Sequence, residues 1–394
     1  MPRTDRTAKV NPYCAGAGTQ PPLLAGRSRQ LAMIDHLANQ FEGRRSAESI
    51  VWSGLRGMGK TVLLQTALQR FRDRGWLAGY HEVRREAGLG ASVASVLIQG
   101  NAVLGRSKLA RALAWLREVI GSTSVSTTVG DVTVQLGLRG SGGTRTTALP
   151  EDALDALFVR LGEAAADAGV GAVFLFDELQ LIARGDLSAL LHAANASEDL
   201  PVAFVAAGLP DLPSAMAAAG SYAERLYFDR VDWLSDGDVT EALVVPAAEF
   251  DVTYEPDAIT ALVGHIASYP YFAQLYGEET WKAAGTPSDR PGTVITAEHV
   301  AAAVEPATRR LEEGLYRIRW EKASEAERGY LVAMAGLGDD RVGSGDVARA
   351  LGKRARDVSA LRDRLMQKGI VYAPAHNVVA FTVPGFASFV RRHA

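Results

Sequence analysis

Residues 54–65 read GLRGMGKTVLLQ and follow directly on the apolar stretch IVWS at 50–53. Gly54, Gly59, Lys60 and Thr61 satisfy the spacing G-x-x-x-x-G-K-[ST], with a further glycine at Gly57. Ile50 to Ser53 is short and rich in β-formers, and Thr61 to Phe71 carries Val62, Leu63, Leu64 and Leu68 at helical spacing. Strand, glycine loop and helix is the order in which backbone N–H groups can turn inward while a helix N-terminus adds positive potential. The stretch therefore reads as a phosphate cradle. Its candidate contacts are Gly54, Leu55, Arg56, Gly57, Met58, Gly59, Lys60, Thr61 and Val62. Lys60 is expected to reach the terminal phosphates of ATP, and the Thr61 hydroxyl to hold Mg2+.

Such a cradle needs an acid at the end of a buried strand, and FLFDE at 174–178 supplies one. Asp177 is expected to hold the metal through its water shell. Glu178, one residue on, is expected to orient and deprotonate the attacking water. Gly171 to Phe176 and PVAFVAAG at 201–208 are apolar without alternation, and Arg225 to Asp229 is a short last strand. Runs of this kind, separated by helices at Glu151–Ala168 and Leu187–Ala196, predict a parallel sheet with helices on both faces. Trp76 to Val83 is expected as another strand, and Ala91–Leu104 and Leu109–Ile120 as helices. SVSTTVGDVTVQLGL at 124–138 alternates β-formers around Gly130-Asp131 and predicts a β-hairpin, inserted over about 121–148 together with the loop GSGGTRTT.

A chain of 394 residues, 47% hydrophobic and 22% charged, predicts two or three globular domains rather than a disordered or fibrous protein. The single cysteine, Cys14, cannot form an internal disulfide, which fits a reducing, cytoplasmic setting. No apolar run approaches the roughly 18 residues of a membrane span, and no apolar segment follows Arg3, Arg6 and Lys9, so residues 1–22 read as a disordered tail. The seven histidines show no zinc spacing, and no G-x-S-x-G elbow occurs. The fold expected is an α/β P-loop NTPase core over 23–235, a helical lid with a connecting helix over 236–320, and a third module over 321–394. In the lid, helices are expected at Asp238–Glu249, Pro256–Ser268, Phe272–Ala284 and Ala297–Trp320, with no strand.

Ser324 and Glu327 make a capping-box pattern before a helix. VARAL and Arg354–Lys368 follow as helices, and IVYAPAHNVVAFTVP as two β-runs. Three helices and a hairpin in that order match the winged helix-turn-helix plan. From Arg341 onward ten lysines and arginines face three acids, a balance of +7 that leaves −10 for the rest of the −3 chain. On the third helix Val358, Leu361 and Leu365 are expected to pack inward. Lys353, Arg354, Arg356 and Ser359 are the candidate contacts to duplex DNA, with Asp363 on the same outward side. A protein-binding role for the same module stays open.

The segments LLAGRSRQL, GLRGMGKT, LFDELQ, ERLYF (224–228) and SYPYFAQLYGEETW (268–281), with the C-terminal module, resemble the AAA+ superfamily of P-loop ATPases. Within it the chain is similar to the archaeal-ATPase and replication-initiator type, from about residue 23 onward. The resemblance implies that Gly26 and Arg27 lie against the adenine. It also implies that Arg225 acts as a finger on a neighbouring subunit's ATP, and hence a homo-oligomer; a surface ion pair with Glu224 or another acid is the alternative. Two departures stand out. VAFVAAG ends without the usual polar sensor, and SYPYFAQ lacks the lid arginine, with Gln274 as its substitute. The implied function is a cytoplasmic, bacterial ATPase whose nucleotide state switches DNA binding or assembly. The alternatives are a slow or non-cycling regulatory or defence signalling NTPase whose winged helix binds protein, and a transposition-helper ATPase.

Overall fold

The apolar runs that suggested a parallel sheet form one. The computed structural model describes residues 11–16, 18–84, 88–100, 125–129, 132–136, 151–285, 290–339 and 341–394. The chain divides into two compact units, one made of residues 27–54 and 60–231, the other of residues up to 26, 55–59 and 232–394.

The described strands of the first unit are β1 (Ile50–Ser53), β2 (Leu77–Glu82), β3 (Val125–Val129), β4 (Val132–Leu136), β5 (Ala172–Asp177), β6 (Val202–Gly208) and β7 (Tyr227–Arg230). Five of them form a parallel sheet in the order β2-β5-β6-β1-β7. Every residue of β1, β5 and β6 is buried, which explains why their sequences lack polar alternation. Helices Lys60–Asp73, Leu89–Gly100, Glu151–Ala168 and Arg184–Ala196 cover the sheet. Phe158 of one helix stacks on Phe174 of β5 with ring centroids 4.8 Å apart, and Trp76 lies between Phe41 and Phe71. β3 and β4 pair antiparallel from Val125–Leu136 to Val129–Val132, a hairpin as expected. Residues 1–10, the segment 101–120 with the helix expected at Leu109–Ile120, the tip Gly130-Asp131 and the loop GSGGTRTT lie outside the described residues.

Two expectations for the second unit need correction. The tail was expected to extend to residue 22, yet from Asn11 it is tied down. Tyr13 is 2% exposed, its hydroxyl bonds the Leu243 carbonyl and lies 2.8 Å from the Tyr254 hydroxyl, and its ring meets Trp281 edge-on. The Ala15 N–H donates to Glu278 Oε2 at 3.0 Å. One buried aromatic ring thus anchors a segment whose surrounding composition looks like tail. Second, β8 (Thr253–Tyr254) and β9 (Val294–Ile295) pair in parallel where no strand was foreseen; two residues are too few to show a period. The long helix expected at Ala297–Trp320 is present, helical without a gap from Ala297 to Lys322. Ala297–Arg310 contains Pro306, which cannot donate a backbone hydrogen bond, and it runs into a wider π-type turn at Leu311–Tyr316 before Arg317–Lys322.

The C-terminal module has helices Glu325–Leu337, Ser344–Ala350 and Ala355–Gln367, and strands β10 (Val342–Gly343), β11 (Val371–Ala375) and β12 (Val378–Phe381). The strands form an antiparallel sheet in the order β10-β12-β11. A last helix, Phe386–His393, follows. The module belongs to the same unit as the helices before it. Tyr316 packs on Phe386 and Phe389, and its hydroxyl donates to the Pro384 carbonyl at 2.7 Å. No helix among the described residues is long and apolar enough to cross a membrane.

Glu327 holds the module's helices together. The Ser324 N–H donates to its carboxylate at 2.8 Å, Lys368 Nζ at 2.6 Å, and Arg364 Nε at 3.2 Å. Burial works to raise its pKa, but the Lys368 and Ser324 hydrogen bonds outweigh that and hold it down at about 2. A carboxyl depressed in the folded state stabilises above its unfolded pKa, and that stability is lost as pH falls toward the folded value. Glu327→Ala is therefore expected to lower stability by about 2 kcal/mol at neutral pH. Denaturant unfolding as a function of pH should show the deficit shrinking from pH 4.5 down to about 2.

Candidate functional site

The parallel register brings the C-terminal ends of β1, β5 and β6 to one edge of the sheet, where ligands of open α/β sheets bind. Ser53 lies opposite Gly208, and the Gly54 N–H continues the ladder to the Gly208 carbonyl at 3.1 Å. Gly54 is required by close approach, since a Cβ there would stand 2.3 Å from the Val231 carbonyl oxygen. Helix Lys60–Asp73 starts here. Lys60 is 6% exposed and its Nζ donates to the Gly54 carbonyl at 2.7 Å.

Asp177, the last residue of β5, is 3% exposed. Its Oδ2 accepts the Thr61 hydroxyl at 2.5 Å and the Tyr80 hydroxyl at 3.2 Å. Burial and then the Asp177 charge push the Tyr80 hydroxyl well above its ordinary pKa, so it stays a donor. Thr61 and Asp177, brought together from distant parts of the chain, offer the hard oxygen donors that suit Mg2+. Glu178 follows with φ 53°, a left-handed conformation uncommon outside glycine. Its Oε2 accepts the Gln180 amide N–H at 2.6 Å, and Gln180 Oε1 accepts the Leu209 N–H at 3.0 Å.

The middle of the loop, Leu55–Gly59, groups with the second unit. Leu55 and Met58 are buried, and Gly57 and Gly59 have φ of 86° and 89°. The Tyr269 hydroxyl donates to the Arg56 carbonyl at 3.0 Å, and a Cβ on Gly57 would stand 1.9 Å from that hydroxyl oxygen.

The residues carried over by resemblance lie as follows. Gly26 has φ 67°, and a Cβ on it would meet the Asp238 carboxylate. Arg27, 6% exposed, opens helix Ser28–Glu42. Val62 is half-buried in the helix after the loop. Gln274 Oε1 accepts the Cys14 N–H at 3.3 Å. Arg225 pairs with Glu198 at 2.5 Å and with Asn195 at 2.6 Å, so its acid is Glu198 rather than Glu224. Sequence reasoning missed Tyr80, Gln180 and Tyr269. Gln180 stands two positions after Glu178, within LFDELQ, and was the one nearest to detection.

On helix Ala355–Gln367, Val358, Leu361 and Leu365 are buried. Lys353, Arg354 and Arg356 are exposed, and Ser359 is half-buried with its hydroxyl donating to the Arg356 carbonyl at 2.9 Å. Arg354 and Arg356 share one acid, Asp357, at 2.8 and 3.6 Å.

Residues 23–205 match the family model described as the AAA ATPase domain. Residues 23–205 thus carry an AAA ATPase domain. Residues 313–390 match a family described as a domain of unknown function, DUF8462. A search of curated proteins gave no match. Among solved structures the Walker-type ATPase PABY2304 of Pyrococcus abyssi is 15% identical, with 95% of this chain and 97% of that chain covered and a TM-score of 0.57, which shows a shared fold. Cdc6p of Pyrobaculum aerophilum is 14% identical over 96% of each chain, with a TM-score of 0.41. The Orc1 protein of Aeropyrum pernix, solved in complex with DNA, is 15% identical over 94% of each chain, with a TM-score of 0.44.

The Gly57 geometry gives a direct test. Gly57→Ala is expected to lower stability by about 1–3 kcal/mol from backbone strain and overlap with Tyr269. Adding Tyr269→Ala should relieve the overlap and leave the strain, so thermal unfolding of the double variant should show sub-additive loss.

Proposed function

We propose that this ATPase uses its nucleotide state to switch DNA binding, or assembly on DNA, through the C-terminal module acting as a winged helix. The observation that carries the nucleotide part is the Thr61–Asp177 hydrogen bond with Glu178 next in the chain. In this reading the loop from Gly54 to Gly59 binds phosphates with its backbone N–H groups. Lys60 exchanges the Gly54 carbonyl for a phosphate oxygen. Thr61 and Asp177 would hold Mg2+, which when bound neutralises phosphate charge. A carboxylate oxygen of Glu178 takes a proton from the attacking water as it approaches the terminal phosphorus. Gly26 and Arg27 flank the base, Gln274 takes the lid position, and Arg225 leaves Glu198 for a neighbouring subunit's phosphate in a homo-oligomer.

Coupling to the module is supported by Arg56. A Cβ on Gly369, in the turn between helix Ala355–Gln367 and β11, would stand 2.6 Å from Arg56 Cδ. The phosphate loop thus touches the base of the proposed wing within one unit. Burial first, and the Arg56 charge among the neighbours, lower the Arg319 pKa, so positive charge is crowded beside this contact. The DNA part rests on the exposed Lys353, Arg354 and Arg356, a cluster of three cations beside the single acid Asp357. Arg364 and Lys368 serve Glu327, Arg391 serves Asp339 and Arg392 serves Glu312.

Lys60→Ala and Glu178→Gln are each expected to reduce ATP turnover at least about a hundredfold, the latter without loss of ATP binding. Gel-shift titrations over a salt series should show Arg354→Ala with Arg356→Ala weakening duplex binding and lowering the salt slope by about 1 per lost contact. Unchanged affinity and slope would refute the DNA assignment.

A further inference from the structure

Gln180 links the expected general base, Glu178, to the sheet. It sits in the short turn Leu179–Leu181, which starts from the left-handed Glu178. One end of its amide donates to Glu178 Oε2 at 2.6 Å, and the other accepts the Leu209 N–H at 3.0 Å. Room for this bridge comes from Gly208. A Cβ there would stand 2.7 Å from Gln180 Oε1 and 2.6 Å from Leu212 Cδ2. The carbonyl of the same Gly208 accepts the N–H of Gly54, the first glycine of the phosphate loop, at 3.1 Å. The chain therefore runs from the loop through Gly208 and Leu209 to Gln180 and on to Glu178.

We propose that Gln180 is a positioning residue for ATP hydrolysis: it fixes the Glu178 carboxylate from the end of β6 and stands in for the polar side chain that Gly208 lacks. This rests on Glu178 acting as the general base. An amide is suited to the task because it donates and accepts at once and carries no charge. Its donor end orients the carboxylate, and its acceptor end ties that orientation to the strand edge facing the loop. Reaction rates are sensitive to displacements of about 1 Å in such groups, so the bridge controls the chemical step and not nucleotide affinity. The geometry also explains how the site can dispense with a sensor on β6: Gly208 is small so that Gln180 can occupy that space.

Two substitutions separate positioning from propping. Gln180→Ala removes both hydrogen bonds. Gln180→Glu keeps the size and the acceptor for Leu209 but removes the donor and sets a second carboxylate against Glu178. Single-turnover hydrolysis of ATP with Mg2+ is measured with the full chain, beside Kd for ATP and thermal unfolding. Both variants are expected to bind ATP within about twofold of the parent and to hydrolyse it about tenfold to a hundredfold more slowly. A Gln180→Glu protein that hydrolyses at the parental rate, or affinity that falls in step with rate in both variants, overturns the proposal. The parent and Glu178→Gln run alongside. Loss of turnover in Glu178→Gln with full turnover in the Gln180 variants defeats the positioning role and leaves the general base standing. Full turnover in Glu178→Gln defeats both.

Discussion

The hydrogen bond from Thr61 to Asp177 spans an intervening strand, and the proposed nucleotide chemistry depends on that span. Neighbouring parallel strands lie about 4.8 Å apart, and β6 separates β1 from β5. Asp177 reaches Thr61 because helix Lys60–Asp73 begins at the loop after β1 and leans over the end of β6 toward β5. A one-residue shift of β5 along its neighbours would put Phe176 or Glu178 where Asp177 stands and take the carboxylate away from Thr61. The register of β5 on β6, with Phe176 opposite Ala206, sets that Asp177 and not Glu178 meets the Thr61 hydroxyl.

Packing protects that register. The β5 side chains Phe174 and Phe176 are fully buried among the apolar residues of the flanking helices. Slipping the strand by one residue would turn these rings out of their layer and replace them with their neighbours. Because the cost of such a slip is spread over the whole core, the site can tolerate the unfavourable left-handed backbone of Glu178. The side chains that hold the two acids, Tyr80 and Gln180, come from β2 and from the turn after β5, so the edge of the sheet is braced on both sides.

Much of this was legible in the sequence where a local pattern carried it. Buried strands announced themselves as apolar runs without alternation, and the glycine loop with its Lys-Thr pair declared the cradle. The capping box at Ser324 and Glu327 marked a helix start that the structure contains. What escaped was long-range. The order β2-β5-β6-β1-β7 has no local signature, so neither Tyr80 reaching Asp177 nor Gln180 reaching Leu209 could be read from spacing. Tyr13 looked like part of a tail because its partners, Leu243, Tyr254 and Trp281, lie more than 200 positions away. Pro306 was visible inside the long helix, but whether a proline kinks, widens or ends a helix is decided by what surrounds it.

At the module, the ten cations that stood out in the sequence prove unequal. Arg364 and Lys368 neutralise Glu327, while Lys353, Arg354 and Arg356 are exposed near one shared acid. The contact of Arg56 with the turn at Gly369 is what ties this charged surface to the phosphate loop. The most direct measurement of that tie is the affinity of Glu178→Gln protein for duplex DNA, titrated at fixed salt with saturating ATP and again with saturating ADP. Coupling between nucleotide state and DNA predicts affinities that differ by at least about fivefold. Equal affinities in the two nucleotide states would contradict it.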